Sequence, residues 1–200
     1  MNYGNNTVKK YDKVIKKSIN GTTVEYGIIF GDEKIVFSKC GSDKGIQEYK
    51  YSEIAHRIHE RMGATVIAAS NPSDEDSLPL DKGIITALVN YKKFTEYSIY
   101  YVGPSDGAYK NLLIAKEFPQ SVRLLSINSS MIDYEGLEAN LLALPEVKKT
   151  LIFGSEDELY HIVPKLQALE CDNLEIIIEE GADHGFHDMM DRFIELTDLL

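Results

Sequence analysis

The sequence predicts an α/β domain in which helices cover both faces of a mostly parallel sheet of about seven to eight strands. Strand-like and helix-like segments alternate along most of the 200 residues, and the later strands are short, continuously apolar runs typical of buried parallel strands. Near the start, Asn20 and Gly21 separate two strand-like segments. Both positions of a type I′ turn need positive φ, so this pair predicts an N-terminal antiparallel hairpin.

The individual elements follow from the period of the apolar residues. Strands are expected at 13–19, 22–30, 35–38, 64–69, 97–102, 123–127, 149–153 and 174–179. Helices are expected at 48–62, 83–94, 108–118, 135–144, 162–169 and 188–199. Residues 31–34 are interpreted as a polar turn and residues 71–80 as a polar loop that contains proline. Ligands of such sheets bind beyond the carboxyl ends of the strands, so candidate residues should directly follow strands.

Composition and charge exclude several classes of function. The net charge of −11 opposes contact with phosphate backbones and anionic lipids, so we expect neither a nucleic acid nor a membrane partner. No HExxH motif or paired CxxC spacing occurs, so no metal site and no cofactor are expected. The two cysteines do not make a disulfide framework in a chain of this length, which fits a reducing compartment.

The expected location is cytoplasmic. Residues 1–17 contain several lysines but no apolar run typical of a signal peptide. The longest apolar stretches are the length of a strand, far below the roughly 18 residues of a membrane-spanning helix. The length suits a single domain spanning residues 1–200, and a homodimer is compatible with the sequence.

A tight strand-to-helix turn is predicted at residues 103–107, where Gly-Pro-Ser-Asp-Gly matches the pattern G-x-S-x-G. A serine in such a turn projects its hydroxyl above the sheet edge, and the following helix N-terminus offers partial positive charge to a developing oxyanion. The alternative is a surface turn, because Pro-Ser-Asp-Gly is good turn chemistry by itself. The predicted strand and helix on either side favour Ser105 as a nucleophile.

A candidate general base lies in Gly-Ala-Asp-His-Gly-Phe at 181–186, directly after the last expected strand. A base for Ser105 must come from a loop at the same sheet edge. His187 is as good a candidate by composition. The position of His184 after the final strand, downstream of the serine, makes it the preferred base.

Asp157 is the candidate acid, because it lies just past the strand expected at 149–153. A carboxylate there could hold the imidazole in one tautomer and stabilise its charged form. Glu156 and Glu158 compete by composition, and Asp133 competes by its position after the preceding strand. The strand-end rule and the chain order serine, acid, histidine favour Asp157.

These segments together resemble the α/β-hydrolase family from about residue 28 to residue 200. Residues 100–108 are similar to its nucleophile elbow, and residues 118–129 to the helix end and strand that follow the elbow. Residues 152–157 are similar to the acid-bearing segment and residues 181–186 to the histidine loop.

The resemblance implies an oxyanion hole made of two backbone N–H groups. One would come from Asp106, the residue after the nucleophile, and the other from Cys40 or Gly41 in the loop after the strand at 35–38. Family members often have His-Gly in that loop, whereas this chain reads Ser-Lys-Cys-Gly-Ser at 38–42. The carboxylate of Asp106 would also oppose an oxyanion unless it points to solvent or meets a cation.

Two functions follow from these residues. The first is a serine hydrolase that cleaves a carboxylic ester or thioester of a small-molecule acyl substrate, with Ser105, His184 and Asp157 as catalytic triad. The second is a hydrolase-fold binding or regulatory protein with weak or no turnover, suggested by the departures around the oxyanion hole. Residues 128–148 leave room for about one helix of mean length, so no sizeable cap domain is expected. Tyr134, Leu137 and Leu141 could then line one wall of the site, unless that helix simply packs on the sheet.

Overall fold

The computed structural model describes residues 8–72, 77–130 and 134–200. Within these ranges a single sheet contains β1 (Lys13–Ile19), β2 (Thr22–Ile29), β3 (Asp32–Lys39), β4 (Ala64–Ala69), β5 (Ser98–Pro104), β6 (Ser121–Ile127), β7 (Lys148–Gly154) and β8 (Leu174–Glu179). Across the sheet their order is β1-β2-β4-β3-β5-β6-β7-β8. The pairs β1–β2 and β2–β4 are antiparallel, and every later neighbouring pair is parallel. The predicted mostly parallel sheet with an N-terminal hairpin is confirmed.

Helices cover both faces of this sheet. They are α1 (Tyr49–Met62), α2 (Leu78–Lys92), α3 (Ser105–Ala115), α4 (Tyr134–Leu142), α5 (Val163–Gln167) and α6 (Met190–Glu195), with 3₁₀ turns at Glu158–Ile162 and Leu196–Leu199. Successive strand residues face opposite ways, so Val36 joins an apolar core with α1 and α6, whereas Phe37 joins a core with α2 to α5. In the described part of the chain, no helix is long and apolar enough to cross a membrane.

The N-terminal hairpin has the predicted turn, with φ of 50° at Asn20 and 93° at Gly21. The polar turn expected at 31–34 is wrong, because β3 already begins at Asp32. Its backbone N–H donates to the carbonyl of Gly63 at 2.8 Å, and Lys34 is paired with Ser98 of β5. These residues are polar because this end of β3 is exposed, not because the chain turns there.

The loop expected at 71–80 is shorter than predicted, because α2 begins at Leu78 with a proline in its first turn. Proline suits this position, since the first N–H groups of a helix have no acceptor inside it. Residues 73–76, the acidic part of that loop, lie outside the described residues, as does Asp133.

Candidate active site

Ser105 occupies the turn between β5 and α3 with φ of 51°, in the left-handed region that residues with a side chain rarely adopt. Such strain persists only where surrounding structure fixes the backbone, and it is typical of functional sites. Here β5 enters the turn from one side and α3 leaves it from the other. The serine thus lies at the carboxyl edge of the sheet, where the sequence predicts it.

The two glycines around Ser105 are needed because the end of β3 packs directly on this turn. A Cβ at Gly103 would lie 2.7 Å from the carbonyl oxygen of Lys39, and a Cβ at Gly107 would lie 2.2 Å from that of Cys40. Real Cβ atoms essentially never approach other atoms so closely. The G-x-S-x-G spacing therefore lets the turn and the loop after β3 come into contact.

The three residues proposed as a triad come together at this edge. His184 Nε2 lies 3.0 Å from Ser105 Oγ, and His184 Nδ1 lies 2.8 Å from Asp157 Oδ2. The Asp157 side chain is buried, and its other oxygen accepts the N–H of Leu159 at 2.8 Å. The hydrogen bond to Asp157 raises the pKa of His184 above its ordinary value, although partial burial acts in the opposite direction. This geometry can move a proton from the hydroxyl to the imidazole.

Asn128, which directly follows β6 and is fully buried, was not predicted from the sequence to have a role in the site. Its side-chain oxygen accepts the N–H of Gly154 at 2.8 Å. Its Nδ2 donates to the carbonyls of Asp183 at 3.0 Å and of His184 at 3.1 Å. Asn128 therefore ties the end of β7 to the histidine loop. The signal in the sequence was only its place after a strand.

Asp106 is the second residue of α3, and the first N–H groups of a helix have no acceptor within the helix. Its amide can therefore point to the site, as the resemblance implies. Its carboxylate does not oppose an anion there, because it accepts from Lys110 Nζ at 2.9 Å and from Asn71 Nδ2 at 3.0 Å. Lys110, one helical turn later, is therefore the cation that neutralises this carboxylate.

The two other expected oxyanion donors are already engaged. The N–H of Cys40 donates to the carbonyl of Ala69 at 2.9 Å, continuing the ladder between β3 and β4. The prediction that Cys40 is an oxyanion donor is wrong, because its N–H points across the sheet to β4. The N–H of Gly41 donates to the hydroxyl of Tyr51 at 3.0 Å, and a Cβ at Gly41 would lie 3.7 Å from Ser105 Cβ. Gly41 is thus beside the serine, but with its donor occupied.

Lys39 belongs to the segment that differs from the His-Gly often found in the family. Its side chain points away from the site. Its ammonium is fully buried and donates to Asp81 at 2.7 Å and to Ser77 at 3.0 Å. Tyr26 donates to the other oxygen of Asp81 at 2.8 Å. This network anchors α2 beneath the loop that contacts the serine turn.

The competing residues have other partners. His187 Nδ1 lies 2.7 Å from Asp183 Oδ2 on the exposed rim of the histidine loop, whereas the imidazole within hydrogen-bond distance of Ser105 Oγ is that of His184. Leu137 and Leu141 of α4 are buried in the core, so they do not line the site, and α4 packs on the sheet instead.

In the described residues, no group of three or more His, Cys, Asp or Glu is arranged to hold a metal ion.

A cleft of ≈ 340 Å³ opens beside Ser105 and His184. Its remaining walls come from the loop after β3, the start of α1 and the region around α6, including Lys44, Lys50 and Phe193. The candidate nucleophile and base therefore line a space large enough for a small ligand, at the edge where parallel sheets bind their ligands.

The topology and this edge define the α/β-hydrolase fold, and solved structures agree. Est1E from Butyrivibrio proteoclasticus has a TM-score of 0.71 at 15% identity, with 93% of this chain and 96% of that chain covered. A putative α/β hydrolase from Agrobacterium tumefaciens has a TM-score of 0.73 at 15% identity, covering 94% of each chain. XC6422 from Xanthomonas campestris, an α/β serine hydrolase without a lid, has a TM-score of 0.65 at 14% identity, covering 96% and 94%.

At these identities the likeness shows the fold alone. It is the same fold that the resemblance in the sequence predicts. No family model matches the sequence, and no curated protein matches it.

Proposed function

We propose that the protein is a serine hydrolase that cleaves a carboxylic ester or thioester through an acyl-enzyme on Ser105. The observation that carries this proposal is the continuous contact from Ser105 through His184 to the buried carboxylate of Asp157. The left-handed backbone of Ser105 supports it, because strain at a residue that also contacts a base is the geometry of an activated nucleophile.

In the first half-reaction Ser105 Oγ attacks the acyl carbon while His184 Nε2 takes the hydroxyl proton. The tetrahedral intermediate collapses, the bond to the leaving oxygen or sulfur breaks, and the imidazolium returns the proton to that atom. In the second half-reaction water attacks the acyl-enzyme with His184 again as base, which releases the acid and free Ser105. Asp157 stabilises the imidazolium in both halves, and no cofactor is needed.

The oxyanion is stabilised by the N–H of Asp106 and, in place of Cys40 or Gly41, by the hydroxyl of Tyr51. Because this hydroxyl accepts the N–H of Gly41, its own proton is the donor left over for the cleft that Tyr51 lines. Burial raises the pKa of Tyr51, so it stays a neutral donor at physiological pH. Donors held in place before the reaction are the most effective ones.

We further propose a single domain over residues 1–200 without a sizeable cap, acting in the cytoplasm on a small-molecule acyl substrate. Of the chain between β6 and β7, the described residues contain one helix, α4, whose leucines pack into the core. XC6422, which shares the fold, also lacks a lid. An open cleft suits small and medium acyl groups.

Labelling with a fluorophosphonate probe, together with hydrolysis of p-nitrophenyl esters, tests the proposal. The wild type should be labelled at Ser105, and S105A should lose both labelling and hydrolysis. S42A is the matched control, because Ser42 lines the same cleft whereas the hydroxyl within hydrogen-bond distance of His184 is that of Ser105, and it should still be labelled. Hydrolysis by S105A at the wild-type rate would refute the mechanism.

One observation favours the second function, a binding or regulatory protein with weak turnover. The Gly41 N–H is occupied, so this expected second donor is not free for an oxyanion unless the Tyr51 hydroxyl replaces it. A wild-type protein that is neither labelled nor active on a broad ester panel would support this function instead.

A further inference from the structure

The cleft beside Ser105 contains cations in an otherwise acidic protein. Lys44 and Lys50 line it, and no Asp or Glu is among the described residues that do so. The whole chain has a net charge of −11. A positive cleft on a negative protein concentrates anions locally, because low-dielectric walls focus the field of the few charges inside it.

Lys50 is held without a carboxylate partner within ion-pair distance among the described residues. Its Nζ lies 5.2 Å from the ring centroid of Tyr51 and 5.3 Å from that of Phe193, on two aromatic faces. Burial lowers the pKa of Lys50, the charge of Glu48 raises it in part, and Lys44 lowers it by a smaller amount. The Glu48 carboxylate itself accepts the N–H of Gly45 at 3.2 Å. An ammonium stripped of part of its water gains most from an anion.

Two helix N-termini add to the positive potential. The first turn of α1 contains Lys50 and Tyr51 and no acidic residue, and Glu48, the N-cap residue, makes no capping hydrogen bond with its side chain. α3 begins at Ser105 itself. The partial positive charge of a helix N-terminus extends over about one turn, so both act on the cleft.

Glu48 offsets part of the charge of Lys50, but two other carboxylates close to the cleft are each paired with their own cation or histidine. Asp106 pairs with Lys110, and Asp183 with His187. The backbone of Lys44 is fixed as well, since its carbonyl accepts the N–H of Asn71 at 3.0 Å. Lys44 and Lys50 therefore form a built cationic wall, with the reacting serine at its side.

We propose that the substrate is an anionic ester or thioester, which carries a second, negatively charged group that binds at Lys50 and Lys44 while Ser105 attacks the acyl carbon. This rests on the proposed hydrolase function and gives its substrate class. The half-ester of a dicarboxylic acid is the simplest such substrate. The class includes esters with the charged group on the acyl side and esters with it on the alcohol side.

Paired substrates test this directly. The p-nitrophenyl half-ester of glutaric acid is compared with its neutral methyl ester, and 3-butyryloxybenzoate with its methyl ester. In at least one pair the wild type should prefer the anion by about tenfold or more in kcat/KM, the usual scale of a charge-assisted hydrogen bond. K50M, which keeps an unbranched apolar stem on the two rings, should reduce that preference about tenfold. K50R should retain most of it, and added salt should weaken it.

K92M is the matched control. Lys92 makes a similar contact, with Nζ 5.2 Å from the ring centroid of Phe30, but it lies on α2 and does not line the cleft. K92M should leave the preference for the anion intact. The absence of a preference for the anion in both pairs, or an equal loss on anionic and neutral esters in K50M, overturns the inference.

Calorimetry on S105A separates the inference from the hydrolase function. Binding of the anionic ester about tenfold more tightly than its neutral partner supports charge selection even if the wild type hydrolyses neither. Equal or absent binding of the two esters overturns charge selection. Hydrolysis of the neutral esters by the wild type would then leave the hydrolase function standing.

Discussion

The hydroxyl of Tyr51 lies 3.0 Å from the backbone nitrogen of Gly41 and accepts its hydrogen bond. Gly41 is in the loop that contacts the Ser105 turn, whereas Tyr51 is in the first turn of α1. This one contact decides which group faces an oxyanion. Either the tyrosine hydroxyl donates, or the tyrosine blocks the amide that would do so.

The two alternatives predict opposite results for Y51F. If the hydroxyl is the donor, its loss should lower kcat about 10²–10³-fold, the usual cost of removing one oxyanion donor. If the hydroxyl blocks the Gly41 amide, Y51F should raise kcat or leave it unchanged. We expect the loss, measured as kcat on a p-nitrophenyl ester.

Y101F is the control for removing a buried tyrosine hydroxyl. Tyr101 Oη lies 3.1 Å from Ser121 Oγ, away from the cleft. Y101F should lower thermal stability while kcat stays near the wild-type value. A similar fall of kcat in both variants would point to general damage rather than to a lost donor.

Asn128 is predicted to be a positioning residue for His184. N128A removes its bonds to Gly154, Asp183 and His184 and leaves buried polar groups unpaired, so it should lower the free energy of unfolding by about 2–4 kcal/mol. It should also lower kcat, because the histidine loop loses its attachment to β7. The acidic limb of the pH profile should shift as the bond from His184 to Asp157 loosens, which loss of stability alone would not cause.

N128G separates the backbone from the side chain at this position. Asn128 has φ of 43°, a conformation that glycine adopts without strain and alanine does not. N128G should therefore be more stable than N128A but equally impaired in kcat. Wild-type kcat in N128G would show that the amide of Asn128 has no part in positioning the base.

The convergence of Ser105, Asp157 and His184 was predictable because it depends on topology. Ser105 directly follows β5, Asp157 and His184 lie in the loops after β7 and β8, and parallel neighbours end at the same edge. Glycines flanking the serine on both sides were a second, local signal, since only the smallest residue tolerates the contact with the loop after β3. Chain order and spacing were therefore enough to bring the three together.

The oxyanion donors were not predictable, because they depend on contacts between distant segments. The N–H of Cys40 is not free because the hydrogen bonding of β3 to β4 continues one residue beyond the end of β3. The N–H of Gly41 is not free because α1 places the hydroxyl of Tyr51 against it. The same holds for Asn128, whose partners lie 26 to 56 residues away in sequence. Likewise, the charged start of β3 looked like a turn because exposed strand ends and turns share polar composition.

Gly154 should be intolerant of any side chain. A Cβ there would lie 2.1 Å from the carbonyl oxygen of Ala182, two residues before His184, so G154A must displace either β7 or the histidine loop. We expect a fall in thermal stability and a large loss of kcat. G83A is the matched control, because nothing lies within 4 Å of a Cβ on this helical glycine, and it should stabilise the protein by about 0.5–1 kcal/mol. Equal behaviour of the two variants would contradict the close contact.

The bond between His184 and Asp157 should set the acidic limb of the pH profile. His184 must be neutral to accept the Ser105 proton, and the hydrogen bond to Asp157 raises its pKa above the ordinary 6.5. The kcat/KM of the wild type should therefore fall as pH drops through that raised value. D157N removes the charge that stabilises the imidazolium, so the limb should move to lower pH while the rate falls on the order of 10⁴-fold. D183N removes a carboxylate from the equivalent contact with His187 and should move the limb much less than D157N, because Asp183 has the smallest of the effects that raise the pKa of His184. A limb that moves in D183N but not in D157N would assign the base to His187.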